Sequence, residues 1–317
     1  MLYQKTLRDT VSCEGVGVHS GATTTLTLAP AKAGTGITFV RSDVIDRDNV
    51  IPGTWDRVTQ TRLCTVLTND AGVNISTVEH VLSALAAQGV DNVVITVDGE
   101  EMPIMDGSAD VFMKMIDQVG TRKQNAPKRF IRLLRPVTYT EGDMSVTLTP
   151  SYQPEWLMDI DFTAKSKKIG TQSFSFSGGV YDYRRKISRA RTFGFLNEVE
   201  ALKEMGLARG GSLENAIVVD GDNILNPEGL RYDNEFVRHK ILDAIGDLYL
   251  AGAPILADYH GVKAGHAMNN KVLREVFADP MQYEWVTSAD VLGIIQARSS
   301  VRVTYAAPSP EVFASLA

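Results

Sequence analysis

The sequence predicts an α+β protein of two similar domains, each a β-sheet layered against helices. Three observations carry this. Both halves run in one order: strands, a helix, a glycine, a strand, a loop and a second helix. The stretch 188–232 has no counterpart in the first half and reads as an insert, and a polar, turn-rich stretch near 41–62 suggests a small inserted β-unit in the first domain. The length of 317 residues, 44% hydrophobic and 22% charged, suits two soluble domains.

Taken in order, "TTTLTLAP", "GITFV" and "LCTVLT" alternate apolar and polar residues and predict strands. Between the last two, "RSDVIDRDNVIPGTWDRVTQTR" is polar and turn-rich and reads as a small inserted β-unit. A helix follows in "STVEHVLSALAAQG", then the strand "NVVITV", a Gly/Asp-rich loop and the helix "GSADVFMKMIDQV", completing a domain over 1–120. The basic, polar stretch "GTRKQNAPKR", with Pro127, predicts a linker at 121–129. A second domain spans 130–300. Its strands lie near "VTYT", "MSVTLTP" and "MDIDFT", its long helix over 234–250, and then come a strand near "PILADYH", a glycine loop and the helix "NNKVLREVF". The insert at 188–232 holds its own helix, "LNEVEALKEMG", and strand, "NAIVVD". Residues 301–317 form a tail. His80 and His239 lie early in corresponding helices, so the duplication predicts that these two helices face each other across the interface.

Several classes are disfavoured at the outset. The net charge is −6 and there is no basic stripe, which argues against nucleic-acid binding. Two cysteines, Cys13 and Cys64, are too few for a disulfide scaffold and point to a reducing, cytoplasmic compartment. The start lacks an apolar run of signal-peptide length, and no run reaches membrane-spanning length. There is no P-loop or G-x-G-x-x-G stretch, so nucleotide-driven chemistry is not expected.

Chemistry enters with "FVRHKILDAIGDLYL", a mostly apolar helix that also carries His239, Asp243 and Asp247. Residues four apart are offset by only ~40° on a helix, so the three form a row within ~80°. His239 and Asp243 could satisfy each other as an ordinary i,i+4 pair. Asp247 adds a carboxylate that one histidine cannot serve. Read functionally, His239 and Asp243 converge on one metal ion and call for a third ligand. The chain offers five histidines: His19, His80, His239, His260 and His266. His80 follows Glu79 in "ISTVEH", where Ser76 and Glu79 also fit a helix capping box and His80 a core position. The functional alternative makes Glu79 a general base beside a metal-bound histidine. His266, after a glycine at a helix start, is either a capping residue or a proton donor with Asp247 as its carboxylate partner. Two histidines and a carboxylate would leave a fourth zinc position open, as metal-assisted amide hydrolysis needs.

Seven stretches in order then carry a resemblance over nearly the whole chain: "GVGVHSG", "ISTVEH", "PIMDGSA", "ISRARTFGF", "GGSLENAIV", "EFVRHKILDAIGDL" and "KAGHAMNN". Together they closely resemble the UDP-3-O-acyl-N-acetylglucosamine deacetylases, zinc enzymes of the committed step of lipid A biosynthesis. The resemblance implies two α+β domains, each with an insert, and an active site at the domain interface. It implies one catalytic Zn²⁺, with Fe²⁺ an alternative in the cell, on His80, His239 and Asp243. It gives Glu79 as general base and His266 as the group that stabilises the oxyanion and protonates the leaving amine. Asp247 is then the holder of His266, and Thr192 a donor to the oxyanion. Lys240 and Phe193 match substrate-binding positions. Leu196, Val199, Ala208, Gly211, Ser212, Ala216 and Val218 match an acyl-chain passage, though by composition alone they could be ordinary core. Phe162 is a candidate uracil neighbour and Lys263 a candidate diphosphate contact. Met144 stands where some relatives carry a lysine, and His19 is placed only at the edge of the site.

The implied partner is a small acylated UDP-sugar, met by a monomer close to the membrane without spanning it. Two other readings compete. One is a nucleotide-sugar or acyl-chain binding module with a structural zinc, closed by Cys64 as fourth ligand. The other is a different zinc amidase on the same ligands, against which "RTFGF" and the insert argue.

Overall fold

The computed structural model describes residues 2–294. The tail expected at 301–317, and the end of the second domain, lie outside these residues. The architecture is mixed α+β, with two larger sheets, three small ones and helices between them. The α-helices that frame the site and its surroundings are α1 (Glu79–Gln88), α2 (Asp110–Val119), α3 (Val180–Lys186), α4 (Leu196–Glu204), α5 (Glu235–Tyr249) and α6 (His266–Ala278).

The two larger sheets share a local plan. In the first half, the hairpin of Val11–Val16 and Thr23–Pro30 pairs antiparallel with Val93–Val97, the strand that follows α1. On its other side that strand pairs parallel with Ile37–Arg41. In the second half, the hairpin of Val137–Glu141 and Met144–Pro150 pairs antiparallel with Ile255–Val262, the strand that follows α5. On its other side that strand pairs parallel with Arg129–Leu133 and with Glu155–Asp161. Parallel pairing requires a crossover, and here each crossover contains the central helix of its half. Every second residue of Val93–Val97 is buried, as expected for a strand with one face on the core.

Helices α1 and α5 pack directly against each other, and buried residues occupy most of both. Gly246 makes this approach possible. A Cβ built there would lie 2.0 Å from the carbonyl oxygen of Glu79, so any side chain would separate the helices. The contact brings His80 and Glu79 on α1 to the polar row on α5.

Two sequence expectations change. The segment 121–129 is no free linker: Thr121–Pro127 is a strand paired antiparallel with Tyr3–Leu7. Its side chains are mostly exposed and polar, so it lacks the apolar alternation that marks a half-buried strand. The first insert is also displaced. Val50–Pro52 joins the main sheet beside Ile37–Arg41, and the separate small sheet is Val58–Gln60, Val66–Thr68 and Asn74–Ser76. The strand expected from "LCTVLT" therefore begins only at Val66, and Cys64 lies in the loop before it. The second insert contains a three-stranded sheet, Phe193–Phe195, Ile217–Asp220 and Asn223–Ile224, with α4 packed on it.

Candidate active site

Three side chains from the facing helices converge. Nε2 of His239 lies 3.2 Å, and Nε2 of His80 3.7 Å, from Oδ1 of Asp243. One donor atom from each of the three residues falls within 4.8 Å of the others, and all three residues are buried. Oδ1 of Asp243 has no hydrogen-bond partner, although a buried carboxylate oxygen without one is costly. Nδ1 of His239 is 3.0 Å from the carbonyl oxygen of Ala190. A carbonyl only accepts, so Nδ1 carries the proton and Nε2 presents its lone pair to the group. Burial pushes the His239 imidazole down to about 3, which keeps it neutral and able to ligate. Asp243 is held well below the usual carboxylate range: against burial, His239 and Lys240 favour its charge. Its second oxygen accepts a 2.8 Å hydrogen bond from Nζ of Lys240. The neutral imidazole of His239, the imidazole of His80, an ionised carboxylate and an orphaned oxygen fit a divalent metal ion. Cys64 is not part of this cluster. It is buried, and burial together with Glu79 pushes its thiol up to about 12.

A second cluster stands beside the first. Nδ1 of His266 donates to Oδ2 of Asp247 at 2.8 Å. Nε2 of His266 is 3.9 Å from Oε1 of Glu79 and 4.0 Å from Oδ2 of Asp243. Burial opposes a charge on His266, but Asp247 and Glu79 outweigh it and lift the imidazole to about 9. Burial raises Glu79 above the ordinary carboxylate value, although His266 and His80 pull the other way. The site thus offers one carboxylate of raised basicity and one imidazolium, less than 4 Å apart.

Glu79 does not act in a capping box. The residue before α1 is Val78, with no side-chain cap, and Oε2 of Glu79 instead accepts from the backbone N–H of Thr65 at 3.1 Å. The hydroxyl of Thr65 donates to Oδ1 of Asp247 at 2.6 Å, so one loop residue of the first half braces both carboxylates. Sequence reasoning missed Thr65, which lies in the small-sheet insert and carries no motif. It also missed Arg191, whose wholly buried guanidinium pairs with Glu235 at the start of α5 and anchors the strand that begins at Phe193.

Both clusters border one cavity of about 830 Å³. Thr192, Phe193, Phe162, Lys240 and Lys263 line it, as do Leu196, Val199, Ala208, Gly211, Ser212, Ala216 and Val218. His19 and Met144 also border it, whereas His260 is exposed and pairs with Asp159 at 2.7 Å. Asp247 is 3% exposed and stands behind His266. Lys263 is engaged by acids, 2.8 Å from Asp143 and 3.3 Å from Asp161, so an anionic ligand would compete with both. Three of the four non-glycine residues with positive φ among the described residues, Thr77, Ala208 and Lys263, border this cavity. Such strain collects where the surrounding structure serves function.

Comparison with known proteins bears on this arrangement. Residues 4–278 match the model of the family described as LpxC, UDP-3-O-acyl N-acetylglycosamine deacetylase. The UDP-3-O-acyl-N-acetylglucosamine deacetylase of Phenylobacterium zucineum is 50% identical over 291 residues, 92% of this chain and 99% of that protein. The deacetylase of the same name from Myxococcus xanthus is 51% identical over 283 residues, 89% of each chain. That of Vibrio parahaemolyticus is 47% identical over 293 residues, 92% of this chain and 96% of the relative.

Proposed function

Because the chain belongs to the UDP-3-O-acyl-N-acetylglucosamine deacetylase family, we propose that it works through one zinc ion on His80, His239 and Asp243, with Glu79 and His266 as its acid–base pair. The reaction is hydrolysis of the N-acetyl group of UDP-3-O-acyl-N-acetylglucosamine to the free amine and acetate, a step of lipid A biosynthesis. The observation that carries the metal assignment is the buried trio around an unpartnered Asp243 oxygen. When bound there, the ion supplies Lewis-acid activation of water and of the amide carbonyl.

The side chains then divide the proton work. Glu79 takes a proton from the water whose oxygen adds to the acetamide carbon. Thr192 and His266 face the carbonyl oxygen as negative charge gathers on it. The C–N bond breaks as Nε2 of His266 gives its proton to the leaving nitrogen. Acetate and the amine depart; Glu79 then releases its proton to solvent and His266 takes one up, which resets the pair. Asp247 fixes the His266 ring so that its Nε2 proton points toward the cavity. Lys240 and Phe193 hold the sugar, and the apolar run from Leu196 to Val218 receives the 3-O-acyl chain. Phe162 lies against Phe193, with ring centroids 5.5 Å apart, and we assign it to the uracil side. Lys263 exchanges its carboxylate partners for the diphosphate. Both cysteines are free thiols, in keeping with the cytoplasmic compartment expected from the sequence. No helix among the described residues is long and apolar enough to cross a membrane.

Metal analysis of the purified protein tests this reading. One zinc or ferrous ion per chain is expected, falling to near zero in His80→Ala and Asp243→Ala. Full occupancy in both variants would overturn the ligand assignment.

A further inference from the structure

Asp247 is the hub between the reacting histidine and a buried chain of hydrogen bonds that continues away from the cavity. Its Oδ2 accepts not only from His266 but also from Nδ2 of Asn269, at 2.9 Å. Oδ1 of Asn269 in turn accepts from the hydroxyl of Tyr259, at 2.8 Å. Asn269 and Tyr259 are each 1% exposed, so neither bond can be replaced by solvent. We propose that Tyr259 and Asn269 are positioning residues of the deacetylase: Tyr259 fixes the Asn269 amide, Asn269 fixes Asp247, and Asp247 aims the His266 proton.

The chemistry allows one arrangement. With the Asn269 amide turned over, its carbonyl oxygen would face a carboxylate oxygen at hydrogen-bond distance, which is repulsive. The tyrosine hydroxyl supplies the donor that the buried Oδ1 needs in the favourable orientation. Burial holds that phenol well above its ordinary value, so it remains a donor across the working pH range. Its placement is built into the strand Ile255–Val262. The ring tilts against Trp156, with centroids 5.2 Å apart, and runs along the strand over Gly261. A Cβ at Gly261 would meet the Tyr259 hydroxyl at 2.6 Å and the ring at 2.9 Å. Gly261 therefore leaves open the space through which the hydroxyl reaches α6. None of this touches substrate or metal. Its effect is on the aim of one proton, where misplacement by about 1 Å can cost on the order of 10²-fold in rate.

The inference rests on the proposed role of His266 and Asp247, and the experiment separates the two. Steady-state kinetics are measured on the metal-loaded protein for Tyr259→Phe, Asn269→Ala, Asn269→Ser, Asp247→Ala and the double variant Tyr259→Phe/Asn269→Ala, with metal content and Tm in parallel. Tyr259→Phe is expected to lower kcat about tenfold, and Asn269→Ala by about 10–100-fold, with KM and metal content unchanged. Because Tyr259 acts through Asn269, the double variant should match Asn269→Ala within about twofold. Asn269→Ser keeps a donor in smaller volume and should fall between wild type and Asn269→Ala. Fully additive losses, losses in KM or metal content, or wild-type kcat in Tyr259→Phe and Asn269→Ser would overturn the relay while leaving the catalytic assignment standing. Wild-type kcat in Asp247→Ala would overturn both.

Discussion

At the scale of residues, the site is built from opposed electrostatic environments. Glu79 is buried and His266 half-buried; burial raises Glu79, while His266 is lifted to about 9 against its burial by Asp247 and Glu79. A general base works ionised, so activity rises as pH increases through the Glu79 value. A general acid works protonated, so activity falls as pH increases through the His266 value. The kcat profile is therefore expected to be bell-shaped, with its basic limb near pH 9. Glu79→Gln should remove the acidic limb and lower kcat by about 10²–10⁴-fold, and His266→Ala should remove the basic limb. Stopped assays of acetate release across pH 5–10 would read both limbs, and two variants that keep the wild-type profile would reverse the roles. The sequence made much of this set legible. Helical spacing puts His239, Asp243 and Asp247 in one row, although spacing alone fits an ordinary i,i+4 pair as well. Thr65, Asn269 and Tyr259 carry no such signal, because their partners lie 182, 22 and 10 residues away and are brought together only by packing.

At the scale of elements, the close approach of α1 and α5 sets the distance between the two halves of the site. Gly246 is where that approach is tightest. Gly246→Ala inserts a methyl group against the Glu79 backbone, and overpacking of this kind costs about 1–3 kcal/mol. The strain would also shift Glu79 and His80 together. A lower Tm and a loss of kcat beyond tenfold are expected, measured by thermal unfolding and steady-state assay. A variant with wild-type values for both would show that the helices have slack. The glycine was not legible as a packing residue, since a helix pattern marks which face is apolar but not how near another helix comes. The strand Thr121–Pro127 escaped for a related reason. Its partner is the first strand of the chain, and backbone pairing at an exposed ribbon leaves no apolar alternation to read. The paired helices and their following strands were legible, because each combines a long apolar period with a glycine stop.

At the scale of the whole molecule, the facing helices of the two halves bring together the metal-capable group, and on the proposed reading the second insert supplies selectivity. A metal and an acid–base pair would accept many amides, so we assign discrimination to the cavity walls, chiefly at 188–232. Burying each methylene is worth ~0.8 kcal/mol, so five would contribute ~4 kcal/mol, roughly a thousandfold in binding. The 3-O-acylated substrate should accordingly be turned over far better than plain UDP-N-acetylglucosamine. A Cβ at Gly211 would lie 3.3 Å from the Ala208 carbonyl oxygen, a tight fit, and a longer side chain there would crowd the cavity that Gly211 lines. Gly211→Leu is expected to reduce kcat/KM more for long acyl chains than for short ones, without loss of metal. Equal effects across chain lengths would remove the passage from the account. Whether a metal on His80, His239 and Asp243 drives the deacetylation is decided by acetate release from UDP-3-O-acyl-N-acetylglucosamine before and after chelation and on titration with Zn²⁺. The metal-free protein is expected to stay folded by circular dichroism, lose turnover, and regain it in full at one equivalent of Zn²⁺. Undiminished acetate release from protein shown to be free of metal would contradict the metal's role.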